Sequence, residues 1–200
     1  MANDSLSLHT VRRGAGRPLV LVHGLGGNWQ SWEPILDALA AHREVIAFDL
    51  PGHGKSIAGA DSGTFIRLLR ALRPVLPAVA SSKVGRALLL SQLSARPWAL
   101  DPGQVATELQ NYATTPTFDA LVRDLSAGPE QRGPAGPGAG PIAIGWGRSD
   151  RLCLPRQAAR AMAAFPSASL HWFDGSGHFP SWDRPAQTTR FILDHTGLTP

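Results

Sequence analysis

An α/β fold with a mostly parallel sheet is what this 200-residue sequence predicts, and three observations predict it. The first third alternates short apolar, β-branched runs with an amphipathic helical repeat. The middle carries helical periodicity only. The last third returns to alternating strand and helix, so the helical middle reads as an insert between two parts of one α/β core.

Pro18-Leu19-Val20-Leu21-Val22-His23 is a continuous apolar run of strand length, as expected of a strand buried on both faces. From Ser31 to His42, apolar residues recur at Trp32, Ile35, Leu36 and Leu39, a helical period for which Ser31 is the expected N-cap. Glu44-Val45-Ile46-Ala47-Phe48-Asp49 is a second buried strand. From Phe65 to about Gly128 the pattern is helical: Phe65, Leu68, Leu69, Leu72, Leu76 and Val79 mark one face, with further helices over Val84–Leu93, Gly103–Tyr112 and Phe118–Leu125. The stretch GPEQRGPAGPGAGP over 128–141 is a linker; it lacks the strict triplet period that collagen requires. Strands follow at Ile142–Trp146 and Leu170–Phe173, with helices at Pro155–Phe165 and Pro185–Asp194. The expected organisation is therefore an N-terminal core part (1–64), a helical cap (65–128) and a C-terminal core part (129–200, with the linker at 129–141), helices lying on both faces of the sheet.

Composition narrows the function classes. Apolar residues at 43% and charged residues at 17% describe a globular chain. The one cysteine, Cys153, excludes an internal disulfide and fits a reducing compartment, so a cytoplasmic location is expected. No apolar run approaches the roughly 18 residues of a spanning helix, and the first residues show no secretory pattern. The net charge of +4 is uneven: the acid-free stretch between Asp61 and Asp101 holds Arg67, Arg70, Arg73, Lys83, Arg86 and Arg96, leaving −2 for the remainder. An Arg-rich, partly apolar segment over 65–96 raises a second reading, a non-catalytic binding or membrane-surface module, against the plainer one of a solvated helical face. Nucleic acid is not expected as a partner, because no binding motif is present and aromatics are not interleaved with the arginines.

Asp49-Leu50-Pro51-Gly52-His53-Gly54-Lys55-Ser56 ends like a phosphate-binding loop, but Asp49 stands where the first glycine of that motif belongs, and an acid there repels phosphate. The loop makes better sense in a set of four, each following a strand: His23-Gly24-Leu25-Gly26-Gly27, the Asp49–Ser56 loop, Gly145-Trp146-Gly147-Arg148-Ser149-Asp150, and Gly175-Ser176-Gly177-His178-Phe179-Pro180. In this order they resemble the α/β-hydrolase family over roughly residues 5–195. The resemblance implies Asp150 as catalytic acid and His178 as base, in the order Ser, acid, His. It implies an oxyanion loop at His23, Gly24 and Leu25, with the Leu25 N–H as one donor. Asp49 reads as a structural acid, and His23 and His53 as loop residues. The implied activity is hydrolysis, of an ester or a C–C bond, on a small apolar substrate. Neither metal nor organic cofactor is implied.

The nucleophile is not found. No G-x-S-x-G occurs; Ser62 has no strand before it, Ser91 and Ser94 lie in a helical pattern, Ser176 is too close to His178, and neither Cys153 nor Asp61 sits in an elbow. Only eight residues separate Ser56 from Phe65, where the family places two further strands and their helices. At about 30 residues per βαβ unit, the shortfall is on the order of 60–70 residues. The expectation is an internal deletion that removes the nucleophile and the central strands. The sheet must then close up or open around an unpaired edge, which invites self-association and poor folding.

Overall fold

The computed structural model describes residues 8–56, 71, 73–115, 117–127 and 140–197. Phe65, Leu68, Leu69 and Leu72 of the expected helical face, and the linker up to residue 139, lie outside them. The chain divides into two compact units, Met1–Ala78 with Gly103–Gly128, and Val79–Pro102 with Pro129–Pro200. The helical middle is thus shared between the units.

The first unit is built on strands β1 (Thr10–Arg13), β2 (Pro18–Val22) and β3 (Glu44–Phe48) in the order β1-β3-β2. β2 runs parallel to β3, Leu19 opposite Val45 and Leu21 opposite Ala47, while β1 pairs antiparallel on the far side. Helix α1 (Glu33–Ala40) supplies Ile35, Leu36 and Leu39 to the core, which with Val45 and Ala47 are almost wholly buried. The i, i+1, i+4 spacing of those α1 residues gives the helix one apolar stripe, and the period of two in β2 and β3 gives each strand one buried face. The other face of β2 is not covered: Val20 and Val22 are 54% and 52% exposed. Among the described strands β2 has no partner on its outer side. A strand in a parallel sheet normally has cover on both faces and neighbours on both edges.

Ser31 is not the N-cap expected of it. A 3-10 turn, Trp29–Trp32, precedes α1, and Asn28 caps that turn by accepting from the Gln30 N–H. Ser31 is instead buried inside the turn and spends its hydroxyl on a distant helix. That helix, α4 (Pro102–Thr114), follows α2 (Leu76–Ser81) and α3 (Lys83–Leu90) and precedes α5 (Phe118–Ala127). It buries Val105, Glu108, Leu109 and Ala113, one face at helical spacing that includes a carboxylate.

The second unit holds β4 (Ala143–Gly147) parallel to β5 (Ser169–Phe173), with α6 (Ala158–Ala164), α7 (Pro180–Asp183) and α8 (Pro185–His195). Phe173 and Phe191 meet edge to face at 5.5 Å between centroids, joining α8 to the sheet. Arg86, on α3, is 4% exposed; its guanidinium donates to the carbonyls of Ala80 and Trp98. One of the six cations of the basic segment is therefore a helix-tying residue and not part of a charged surface, which weighs against the membrane-surface reading. No helix among the described residues is long and apolar enough to cross a membrane.

Candidate active site

Two strand-end loops of the second unit meet. Gly147 closes β4, the Arg148 N–H donates to Phe173 O, and the Ser149 N–H donates to Ser176 O. These bonds knit the β4 loop to the β5 loop. They need a glycine at 147, because a Cβ there would overlap the carbonyls of Ser176 and Gly177. Asp150 and His178 are brought together as expected, Nδ1 of His178 lying 3.0 Å from Oδ2 of Asp150. Asp150 is 5% exposed, and its second oxygen accepts the N–H groups of Leu152 and Cys153. A carboxylate held by two backbone donors cannot swing away, so it fixes the imidazole with Nδ1–H towards the acid and the basic lone pair at Nε2.

The β5 loop is anchored by Asp183, which ends α7 and turns inward. Its Oδ2 accepts from Gly177 N–H (2.7 Å) and Ala95 N–H (2.9 Å), and its Oδ1 accepts from the Ser94 hydroxyl (2.5 Å). Leu93 O accepts from the Phe179 N–H. The turn after α3 is thereby bolted to both sides of His178. Ser94 is 1% exposed and engaged with Asp183, which leaves it no role as a nucleophile.

Cys153 follows Asp150 closely because the Asp150 carboxylate turns the backbone back on itself, and Trp146 Nε1–H fixes the same residue by donating to Cys153 O. Its thiol is pushed up from its ordinary pKa by burial first and by Asp150 second, so it stays protonated at neutral pH. Asp150, Cys153 and His178 each offer a donor atom within 4.8 Å of the others.

The first unit carries the other expected loop. His23 is buried; its Nε2 accepts from Leu50 N–H and its Nδ1 donates to Gly24 O. Burial lowers its pKa, against the smaller raising effect of the Gly24 carbonyl, which suits a neutral ring that both donates and accepts. His53 is used in the same way, Nε2 accepting from Gly26 N–H and Nδ1 facing Pro51 O. Both rings therefore brace the loop that carries Gly24 and half-buried Leu25, and neither has the free basic nitrogen of a general base. Asp49, 1% exposed, accepts from the N–H groups of Trp29 and Lys55 and lies 3.1 Å from His9 Nδ1. Gly54, at φ +51°, passes so close to that carboxylate that a side chain there would collide with it.

Behind this loop stands Glu108 of α4, a residue that no local pattern distinguishes. It accepts from the Ser31 hydroxyl (2.9 Å), and Asn111 reaches both Glu108 and the Asn28 cap. The Thr115 hydroxyl reaches the Gly26 carbonyl. Burial raises the Glu108 pKa to about 7, with the Ser31 and Asn111 hydrogen bonds opposing and Glu33 adding. The folded protein therefore holds a proton that the unfolded chain releases near pH 4.5. Stability should fall as pH rises from about 4.5 to about 7 and stay low above it, by up to roughly 3 kcal/mol for this group. Urea midpoints at pH 5 and pH 8 check this: the native chain should be less stable at pH 8, and Glu108→Gln should flatten the difference.

Comparison with known proteins bears on the fold. The family model for the alpha/beta hydrolase fold matches residues 17–79, the stretch that carries the β2 and β3 loops. The chain is 39% identical over 56 residues to the (E)-2-((N-methylformamido)methylene)succinate hydrolase of Acinetobacter baylyi, covering 28% of this chain and 21% of that protein. It is 34% identical over 81 residues to a 2-hydroxy-6-oxononadienedioate/2-hydroxy-6-oxononatrienedioate hydrolase of Pseudomonas putida, covering 38% and 28%. The matched segment thus spans about a quarter of the length of these curated relatives. Among solved structures, a serine hydrolase involved in carbazole degradation superposes with a TM-score of 0.68 at 15% identity over 94% of each chain. The enol-lactonase of Burkholderia xenovorans LB400 gives 0.68 at 18% identity, over 94% of this chain and 96% of its own. Together these findings show the α/β-hydrolase fold and support kinship with the hydrolases of that family.

Proposed function

We propose that this chain is a hydrolase scaffold of the α/β-hydrolase type, made for ester or C–C bond hydrolysis of a small apolar substrate, in which an internal deletion has removed the nucleophile. The observation that carries the reading is the Asp150–His178 pair, 3.0 Å apart on the loops that end two adjacent parallel strands. Ligands of open α/β sheets bind at those strand ends. In this reading His178 Nε2 takes the proton of an attacking hydroxyl and Asp150 stabilises the imidazolium. The helical segment 65–128 acts as the cap that sets substrate size.

The deletion reading draws support from β2, whose outer edge and one apolar face lack cover among the described residues. Without a nucleophile, most of the acyl-transfer advantage is lost, and what remains comes from binding and oxyanion contacts. The same edge makes self-association the expected behaviour at high concentration.

A fluorophosphonate probe with intact-mass readout tests the proposal. The folded chain should take up no label. Stoichiometric labelling that disappears in His178→Ala would mean an activated serine is present and would sink the deletion argument. The positive arm inserts the missing strand-helix segment of a related hydrolase between Ser56 and Phe65. That chimera should label in a His178-dependent manner; failure of a soluble, folded chimera to do so would count against the Asp150–His178 assignment.

A further inference from the structure

The side chains around Asp150 form a group that hydrolysis does not use in full. A serine hydrolase needs the carboxylate and the imidazole; nothing in that chemistry calls for a thiol. Yet the Cys153 sulfur, an Asp150 oxygen and a ring nitrogen of His178 all lie within 4.8 Å of one another, and the acid–imidazole separation is 3.0 Å. Donors on a tetrahedral zinc-type ion, at metal–ligand distances of about 2.0–2.3 Å, are about 3.5 Å apart. The acid–imidazole separation is somewhat shorter than that value and no pair of donors exceeds 4.8 Å, so the group can close on an ion through side-chain adjustment.

The donors are also held from behind, as ligands in metal sites generally are. The Cys153 backbone is fixed at both ends, its N–H on Asp150 Oδ1 and its carbonyl under Trp146 Nε1–H. Asp150 keeps one oxygen on two backbone donors and has the other turned to the imidazole. The His178 loop is pinned through Gly177 to Asp183. Asp150 is buried while the His178 side chain is 28% exposed, so the group borders solvent on the imidazole side.

We infer that Asp150, Cys153 and His178 form a binding site for a borderline-soft divalent cation of the zinc class, with three protein ligands and one open position. Thiolate and imidazole favour such ions over magnesium or calcium, which take oxygen ligands. Binding releases the thiol proton and leaves the imidazole neutral, with its proton on the nitrogen that does not coordinate. An ion in this position engages the acid and the base at once, so occupancy opposes the hydrolytic use of the pair. The site shares residues with the proposed hydrolase chemistry but needs no nucleophile and no turnover.

The test uses the full chain without a histidine tag and with a reductant that does not bind metal. Titration with Co2+ should saturate at one equivalent and produce a thiolate-to-metal charge-transfer absorption, which Zn2+ then abolishes by displacement. Cys153→Ser and Cys153→Ala should both lose the absorption, and His178→Ala and Asp150→Asn should each weaken Zn2+ binding at least about tenfold. On the native chain, where folding of a variant is not at stake, one equivalent of Zn2+ should slow alkylation of Cys153 by iodoacetamide at least about tenfold. Absent saturation, a Zn2+ affinity unchanged in His178→Ala, or an alkylation rate indifferent to Zn2+ overturns the site. A failed fluorophosphonate experiment leaves these readouts untouched, and the reverse holds equally.

Discussion

Asp183→Ala should cost about 3–5 kcal/mol of stability, one of the two largest losses expected from a single substitution. The carboxylate serves three donors at once: the Ser94 hydroxyl, the Ala95 N–H and the Gly177 N–H. Removing it leaves two backbone donors and a hydroxyl buried without an acceptor, at about 1–3 kcal/mol each before relaxation. With a urea m-value of about 2 kcal/mol/M, the midpoint should fall by about 2 M. A double-mutant cycle sharpens the claim. Ser94→Ala in the native background should cost about 1 kcal/mol, and in the Asp183→Ala background close to nothing, because its partner is already gone. Equal costs in both backgrounds would show that the 2.5 Å bond carries no energy. Amide exchange at Gly177 should quicken in Asp183→Ala well before global unfolding, since that N–H loses its acceptor while β4 and β5 stay paired.

Asp49→Ala is the second. Here the buried carboxylate ties the start of the 3-10 turn, through Trp29 N–H, to the loop after β3, through Lys55 N–H. Losing both acceptors should cost about 3 kcal/mol, read as a midpoint shift of about 1.5 M in urea. Asp49→Asn should be nearly as damaging, because an amide presents NH2 to one of two backbone donors that both need an oxygen. A phosphate-binding role for this loop predicts the opposite: replacing the acid would relieve repulsion and let phosphate stabilise the variant. Thermal shifts of Asp49→Asn with and without inorganic phosphate decide between the two, and no phosphate-dependent shift is expected.

Four of the five described strands, in two sheets, were legible in the sequence because each lies in a short, mostly apolar run of strand length. β2, β3, β4 and β5 stand within a residue or two of where Pro18–His23, Glu44–Asp49, Ile142–Trp146 and Leu170–Phe173 put them. β1 escaped because Thr10-Val11-Arg12-Arg13 is mostly exposed and reads as polar; its strand character comes from pairing with β3, 32–38 positions away. The Asp150–His178 pair was legible through the order of loop motifs and not through any local pattern. Glu108 and Asp183 were not, since each acts on a partner far along the chain: Ser31 is 77 residues from Glu108, and Ser94 is 89 residues from Asp183. One signal was available for Glu108, a carboxylate in register with Val105, Leu109 and Ala113 on an otherwise apolar helix face. Ser31 was misread because Asn28, three residues earlier, is the better cap, and burial then frees the serine hydroxyl for α4. Cys153 has no elbow around it, yet its distance of three residues from Asp150, with the turn that the Asp150 carboxylate stabilises, is the sign that it shares the same corner.

The flank of β2 bears on the kind of durability to expect of this protein. Val20 and Val22 are more than half exposed, beside an edge that has no partner among the described strands; if that edge is open, each brief opening of the first unit would offer a template that another chain could occupy. Refolding then races against a bimolecular event whose rate grows with concentration, while refolding does not. Survival under heat would then be a half-life set by dilution and time, and not a property of the folded state alone. In a cell the contest would be settled by whichever chaperone or protease reaches that strand first, so abundance would follow the capacity of those systems more closely than the rate of synthesis.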